Sequence, residues 1–154
     1  MSNVTVAIGA PMQVNPLVGA LGALVLLGSS GSSIADPIGL WRDKDGGTLR
    51  IQACGQALCG TIASVNPSID PATGRAWTDK NNPDASLRNR PLVGVQALIS
   101  MTPNGVAKWS GQLYDADRGK IYSGNLVEID ASTVRVEGCV LGLCGGETMT
   151  RVSR

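Results

Sequence analysis

The sequence predicts an all-β protein in which eight antiparallel strands follow one another as a meander and close into a barrel. Alternating apolar and polar runs, typical of strands with one buried face, are dense, and helix signals are scarce. Most of these runs are separated by short segments rich in turn residues, such as Asp115 to Gly119 and Asp130 to Ser132. Closure is favoured because an open sheet of this size would leave unpaired edge strands.

The eight strands are predicted one after another along the second part of the chain. They cover residues 39–43, 47–54, 59–65, 92–100, 107–114, 120–129, 132–139 and 145–152. An eight-stranded barrel has an interior that is either filled by side chains or wide enough for one small ligand.

The N-terminal segment differs in composition from the rest of the chain. Its first 35 residues contain no Asp, Glu, Lys or Arg, and Leu17 to Gly28 is an unbroken apolar run of 12 residues. This run is shorter than the roughly 20 residues of a membrane-spanning helix, and small residues follow it up to Ala35. We therefore predict a secretory signal peptide over residues 1–35, removed in the mature form, and a barrel domain over residues 36–154. An uncleaved N-terminal anchor is the alternative, since no basic residue precedes the apolar run.

This assignment makes the mature protein periplasmic or secreted, with no stable membrane insertion.

Composition also excludes some functions. The formal net charge is +1 and the chain has three Trp, two Tyr and no Phe, which argues against a nucleic-acid-binding surface. The chain has no histidine, so mechanisms that need an imidazole base or ligand are excluded. No cofactor is expected, and the protein partner is unknown.

All four cysteines lie in two similar segments, "LRIQACGQALCG" (Leu49 to Gly60) and "VRVEGCVLGLCG" (Val134 to Gly145). In each, a strand with one apolar face reaches a Cys, and a second Cys follows after four residues. Cysteines facing each other across a hairpin lie within reach of a disulfide bond. We therefore predict two local disulfides, Cys54 with Cys59 and Cys139 with Cys144. A zinc site of four thiolates and a redox pair are the alternatives.

One long connection interrupts the meander. Residues 66–91 contain Pro67, Pro71, Pro83 and Pro91 but no clear strand, and connections of this length are usually functional or mobile. Asp84 is placed to cap a single helical turn that ends at Arg88.

This Pro-rich loop has three possible roles. It is a surface loop with internally paired side chains, a lid over the barrel mouth, or, with Asp79, Asn81 and Asp84, a calcium site of unusual spacing. In the lid hypothesis Arg88 and Arg90 face an anionic group of a ligand. We expect no metal site.

Several segments resemble one bacterial family in order and content. "GLW", "LRIQACGQALCG", "DKNNPDASLRNRPLVG", "WSGQLYDADRGKIYSG", "VRVEGC" and "TMTR" are similar to the secreted family known as domain of unknown function 2147, over Gly39 to Arg151. The resemblance implies an exported, lipocalin-like β-barrel and brings no established activity. Met149 departs from it, because a Trp is expected at this position.

"GLW" (Gly39 to Trp41) also resembles the first-strand motif of lipocalins. In those proteins an Arg near the end of the last strand packs across the Trp and closes the barrel. The resemblance implies that Trp41 and Arg151 are in contact at a closed end, an interaction of about 0.5–2 kcal/mol. Without it, Trp41 is an ordinary core residue and Arg151 a surface charge.

The favoured function is binding of a small apolar or amphipathic ligand in the barrel. The predicted ligand contacts come from the loop and the interior: Arg88, Arg90, Asp79, Asn82, Tyr114 and Tyr122. The predicted interior set is Val93, Val95, Leu113, Tyr122, Leu126 and Val136. The main alternative is an envelope interaction or structural protein with a filled core. A hydrolytic enzyme is a weaker alternative, since Asp115 and Asp117 lie in a probable turn where local hydrogen bonding explains them. We therefore expect no catalytic residues.

Overall fold

The computed structural model describes residues 36–154, so the predicted signal peptide lies outside the described residues. These residues form ten strands, in the order β1 (Gly39–Arg42), β2 (Thr48–Cys54), β3 (Ala57–Ser64), β4 (Ile69–Asp70), β5 (Arg75–Ala76), β6 (Gln96–Pro103), β7 (Lys108–Asp115), β8 (Lys120–Asp130), β9 (Thr133–Val140) and β10 (Leu143–Ser153). Strands β4 and β5 form a separate two-stranded hairpin. A single turn of 3-10 helix, Ala85–Leu87, is the one helical element of the described part, and no helix there is long and apolar enough to cross a membrane.

The other eight strands form a closed antiparallel barrel in the order β1-β10-β9-β8-β7-β6-β3-β2. The predicted fold is therefore confirmed. Closure comes from β1, which pairs with β2 on one side and with β10 on the other, so no strand of the barrel keeps a free edge.

The barrel has two different ends. The end we call closed is the one at which β1 begins, and it carries the β2–β3, β6–β7 and β8–β9 turns. At the other end, which we call open, lie the β1–β2 loop, the long β3–β6 connection, the β7–β8 turn and the β9–β10 turn. The core fills the closed half with large buried side chains, namely Trp41, Leu49, Ile51, Leu98, Met101, Leu126, Val134, Val136 and Met149.

Strand β6 begins later than predicted. Residues 92–95 form a turn in which the amide of Val95 donates to the carbonyl of Leu92 and Gly94 has φ 97°. Val93 lies in this turn with 48% of its surface exposed, so its predicted interior position is wrong. Val95, Leu126 and Val136 are buried. The strand also ends later than predicted, at Pro103, and its pairing with β7 shifts register between Ile99 and Thr102.

Both predicted disulfides are present: Cys54 pairs with Cys59 and Cys139 with Cys144, with Cα atoms 5.8 and 4.0 Å apart. Each closes a hairpin with a two-residue turn, and the two hairpins lie at opposite ends of the barrel. Cys139 and Cys144 face each other in the ladder as predicted. Cys54 instead faces Ala57, and Cys59 faces Gln52, so that bridge is diagonal.

Candidate functional site

The closed end is sealed by Arg151 over Trp41. The Arg151 guanidinium carbon lies 4.1 Å from the centroid of the fully buried Trp41 ring. The guanidinium also donates to three backbone carbonyls, those of Ala131 (2.6 Å), Ile38 (2.7 Å) and Asp36 (2.9 Å). The three nitrogens of the guanidinium therefore each hold a backbone segment at the closed end.

Glu128 lies beside this seal. One of its carboxylate oxygens is 4.0 Å from Nη2 of Arg151, and the other is buried without a hydrogen-bond partner among the described residues. Burial raises the pKa of Glu128 above its ordinary value, and the charge of Arg151 opposes this only in part.

The open half of the barrel contains two adjoining cavities. The larger has a volume of about 560 Å³ and the smaller about 270 Å³. Leu113, Val136 and Glu147 border both, so the cavities meet at these three residues. The larger volume lies in the range of small-molecule sites, roughly 300–1,000 Å³.

Small residues on inward-facing positions create this space. Gly138 on β9 faces Gly145 on β10 in the ladder. A Cβ on Gly138 would lie 3.3 Å from Leu113, whereas a Cβ on Gly145 would meet no atom within 4 Å. The side chain that Gly145 lacks would therefore point into open volume of the larger cavity, which this residue borders.

The Pro-rich loop lies at the same end but is held to the outside of the barrel wall. Tyr114 follows the inward-facing Leu113 on β7, so its ring points outward, where its hydroxyl donates to Asp79 at 2.6 Å. Asn81 of the loop also donates to the carbonyl of Asp117 in the β7–β8 turn. These contacts anchor the loop to β7 and to the turn that follows it.

Asp79 is the centre of this loop cluster and has no exposed surface. Its Oδ1 accepts from Tyr114, while its Oδ2 accepts from Asn82 at 2.7 Å and from Arg90 at 3.0 Å (Nε) and 2.7 Å (Nη2). Burial alone would raise the pKa of Asp79, but hydrogen bonds from Tyr114, Asn82 and Arg90 outweigh it and hold the pKa below its ordinary value. Burial, followed by the bond to Asp79, raises the pKa of the Tyr114 hydroxyl.

The structure thus brings four of the six predicted ligand-binding residues together: Asp79, Asn82, Arg90 and Tyr114. Arg88 lies nearby, where its Nε donates to the carbonyl of Asn82. Tyr122 lies apart from them and borders the larger cavity, which Tyr114 also touches. Neither cavity is bordered by the other four. The contacts of these loop residues favour a structural role, and ligand binding by Arg88 and Arg90 stays a prediction.

Of the cavity-lining residues that sequence reasoning missed, Gly145 and Glu147 lie at inward-facing positions of the last strand. The signal was present, because both alternate with Met149 and Arg151 along the last strand, and residues two apart share a face. A glutamate is expected to face solvent, and Glu147 is indeed exposed, yet it also borders both cavities.

The architecture is that of a small antiparallel barrel with a sealed end and an internal cavity, the class to which lipocalins belong. The family model "Uncharacterized protein conserved in bacteria (DUF2147)" matches residues 39–151, and the chain belongs to this family.

Among solved structures, the chain is similar to protein HP1028 from the human pathogen Helicobacter pylori, described as belonging to the lipocalin family. The TM-score is 0.65 at 20% sequence identity, and the match covers 77% of this chain and 84% of the other. This likeness shows a lipocalin-like fold. No curated protein matches the chain.

Proposed function

We propose that the protein binds a small apolar or amphipathic molecule inside the barrel. The observation that supports this is the cavity of about 560 Å³ at the open end. Leu113, Tyr122 and Val136 supply apolar wall, and the smaller cavity beneath adds Leu49 and Leu98. Apolar walls with a few polar groups are typical of small-molecule sites.

The filled-core alternative fits this volume less well. An interaction role retains one supporting feature, the turn between β9 and β10, where Leu141 and Leu143 are 99% and 80% exposed. A hydrolytic role finds little support, since Asp115 is paired with Arg118 at 2.6 Å and its other oxygen accepts from the Arg118 amide. We therefore propose a binding protein rather than an enzyme.

We also propose that the protein works in the periplasm or outside the cell. The two disulfides support this, because such bonds persist mainly in oxidising compartments. The apolar N-terminal run is the second support. N-terminal sequencing of the protein isolated from its own bacterium tests the predicted cleavage after Ala35.

The binding proposal is tested with a neutral fluorescent probe, N-phenyl-1-naphthylamine, titrated into the wild type and two variants. Gly145→Leu places a side chain in the open volume of the larger cavity and should abolish probe binding without unfolding the barrel. Thr148→Leu is the matched control, because it adds an apolar side chain to the same strand on its outer face. Equal probe binding by all three proteins, or none by the wild type, would overturn the proposal.

A further inference from the structure

We propose that the cavity selects amphiphiles with a cationic head group, an alkylammonium or similar ion, which the carboxylate of Glu147 binds. This inference rests on the proposed function and adds the chemical class of the ligand. It comes from the position of Glu147, from the absence of a partner for it in the described part, and from the sign of the charges around the cavities.

Glu147 occupies the junction of the two cavities. It faces Val136 in the β9–β10 ladder and lies two residues above the buried Met149 on the same face of β10. From the open end inward, a molecule would therefore meet Glu147 before it reaches the apolar closed half. A head group at Glu147 places the attached chain next to Leu113 and Val136, which border both cavities with it.

No hydrogen bond or ion pair engages the Glu147 carboxylate among residues 36–154. The charged side chains that act on the Glu147 carboxyl come from the β1–β2 loop: Asp43, Lys44 and Asp45. Lys44 is paired with Asp45, and Oδ1 of Asp43 accepts from the amides of Asp45 (2.9 Å) and Gly47 (2.8 Å). The polar groups of the loop are thus bonded within the loop, and none of them engages the Glu147 carboxylate.

The charges around the cavities favour a cation. Their walls carry five carboxylates and one guanidinium, namely Asp43, Asp45, Asp115, Asp117, Glu147 and Arg118. Arg118 is already bound to Asp115, and Asp45 is neutralised by Lys44, so Asp43, Asp117 and Glu147 are the lining carboxylates without an ion pair among the described residues. The site is therefore locally negative in a chain whose formal net charge is +1, and such a field attracts cations and repels anions.

The protonation behaviour of Glu147 agrees with this. Partial burial raises the pKa of its carboxyl, and the negative charge of Asp43 adds to the effect, while Lys44 opposes it. The ionised form is thus less stable than in water, and a bound ammonium group would restore its stabilisation.

The competing possibility, an anionic amphiphile such as a fatty acid, would need free basic groups at the mouth. The basic side chains at this end are already engaged: Arg90 by Asp79, Arg88 by the Asn82 carbonyl, Arg118 by Asp115 and Lys44 by Asp45. A carboxylate head group at the junction of the cavities would face Glu147, and Arg118 or Lys44 could compensate it only by leaving a present partner.

The test uses three competitors with the same ten-carbon chain and different head groups: decylammonium, decanol and decanoate. The two ionic competitors are kept below their micelle concentrations and decanol below its solubility limit. For each competitor, displacement of N-phenyl-1-naphthylamine is measured at neutral pH from the wild type, Glu147→Gln and Glu137→Gln. Glu137 is the matched control, since it lies on the outer face of β9 and pairs with Arg135. We expect the wild type to bind decylammonium more tightly than decanol or decanoate. Glu147→Gln should weaken decylammonium binding about tenfold, the scale of one charged hydrogen bond. Decanol binding should not change, and Glu137→Gln should behave as wild type.

Glu147→Lys provides a second readout, because it should reverse the preference so that decanoate binds better than decylammonium. Equal displacement by all three competitors, or a Glu147→Gln protein that keeps the ammonium preference, overturns the inference while the proposed function stands. Failure of the wild type to bind the neutral probe or decanol overturns the proposed function and this inference with it.

Discussion

The Asp79 cluster offers the sharpest test of how the long loop is held. In Asp79→Asn, Oδ1 can still accept from Tyr114, but an amide NH₂ replaces Oδ2 and faces three N–H donors, one from Asn82 and two from Arg90. The substitution therefore replaces acceptors with donors at a site that has no exposed surface.

The expected loss can be worked out bond by bond. The Asn82 donor is buried, so leaving it unpaired costs about 2 kcal/mol. The Arg90 side chain is 38% exposed, so water can solvate it and its ion pair is discounted to about 1 kcal/mol. The total of about 3 kcal/mol corresponds to a fall in Tm of about 10 °C for a domain of this size.

The loss should also depend on pH. Because the pKa of Asp79 is lowered in the folded state, its stabilising contribution is complete above the ordinary carboxyl pKa and disappears as the pH falls through the folded value. The difference between wild type and Asp79→Asn should therefore be constant near neutral pH and shrink below about pH 4.

Urea denaturation of both proteins across this pH range measures the difference directly. Asp84→Asn is the matched control, because it removes a carboxylate from the same loop at an exposed capping position, and its effect should be smaller. A neutral-pH loss below about 1 kcal/mol, or a loss that does not change with pH, would refute the role assigned to the cluster.

Three further predictions concern the closed end and the disulfides. Arg151→Leu removes three hydrogen bonds and the stack on Trp41, and should lower the free energy of unfolding by about 3 kcal/mol in urea denaturation. The exposed Arg154→Leu is the control, and an equal loss in both variants would contradict the role of Arg151 at the closed end. Glu128→Gln should leave stability at neutral pH unchanged or raised. Burial raises the pKa of this carboxyl in the folded state, so its ionisation costs stability as the pH rises from the ordinary carboxyl pKa through the raised folded value. A clear loss of stability in thermal denaturation would show that the pairing of Glu128 with Arg151 dominates. Replacing either cysteine pair by serine should lower the free energy of unfolding by about 2 kcal/mol relative to the oxidised wild type. A reduced wild type as stable as the oxidised protein would contradict a stabilising role of the disulfides.

The fold was readable from the sequence because its signals are local. Alternation in β2 and β9 and the spacing of Cys54, Cys59, Cys139 and Cys144 each depend on a few neighbouring residues. The start of β6 was missed because the turn at Leu92 to Val95 is apolar and carries only Gly94 as a turn signal. Strand propensity there is overridden by a backbone hydrogen bond that no local pattern shows.

The site was less readable because it depends on how distant strands meet. Arg90 and Asp79 have the charges expected of ligand contacts, but their partners become visible only when Tyr114 is brought to them across 35 residues of sequence. Conversely, the cavity depends on the meeting of two glycines on adjacent strands, Gly138 and Gly145. Sequence alone cannot distinguish such a pair from ordinary strand or turn glycines.

The distribution of side-chain size along the barrel connects stability with the proposed function. The closed half contains Trp41, Met101 and Leu126 with no exposed surface, and it supplies most of the buried apolar area that stabilises the fold. The open half contributes less packing because Gly138 and Gly145 bring no side chains to its inner wall. The second disulfide, Cys139 with Cys144, lies immediately beside these glycines. It therefore stabilises the hairpin at the point where the cavity reduces packing, and the barrel can keep an open volume there without losing its strand pairing.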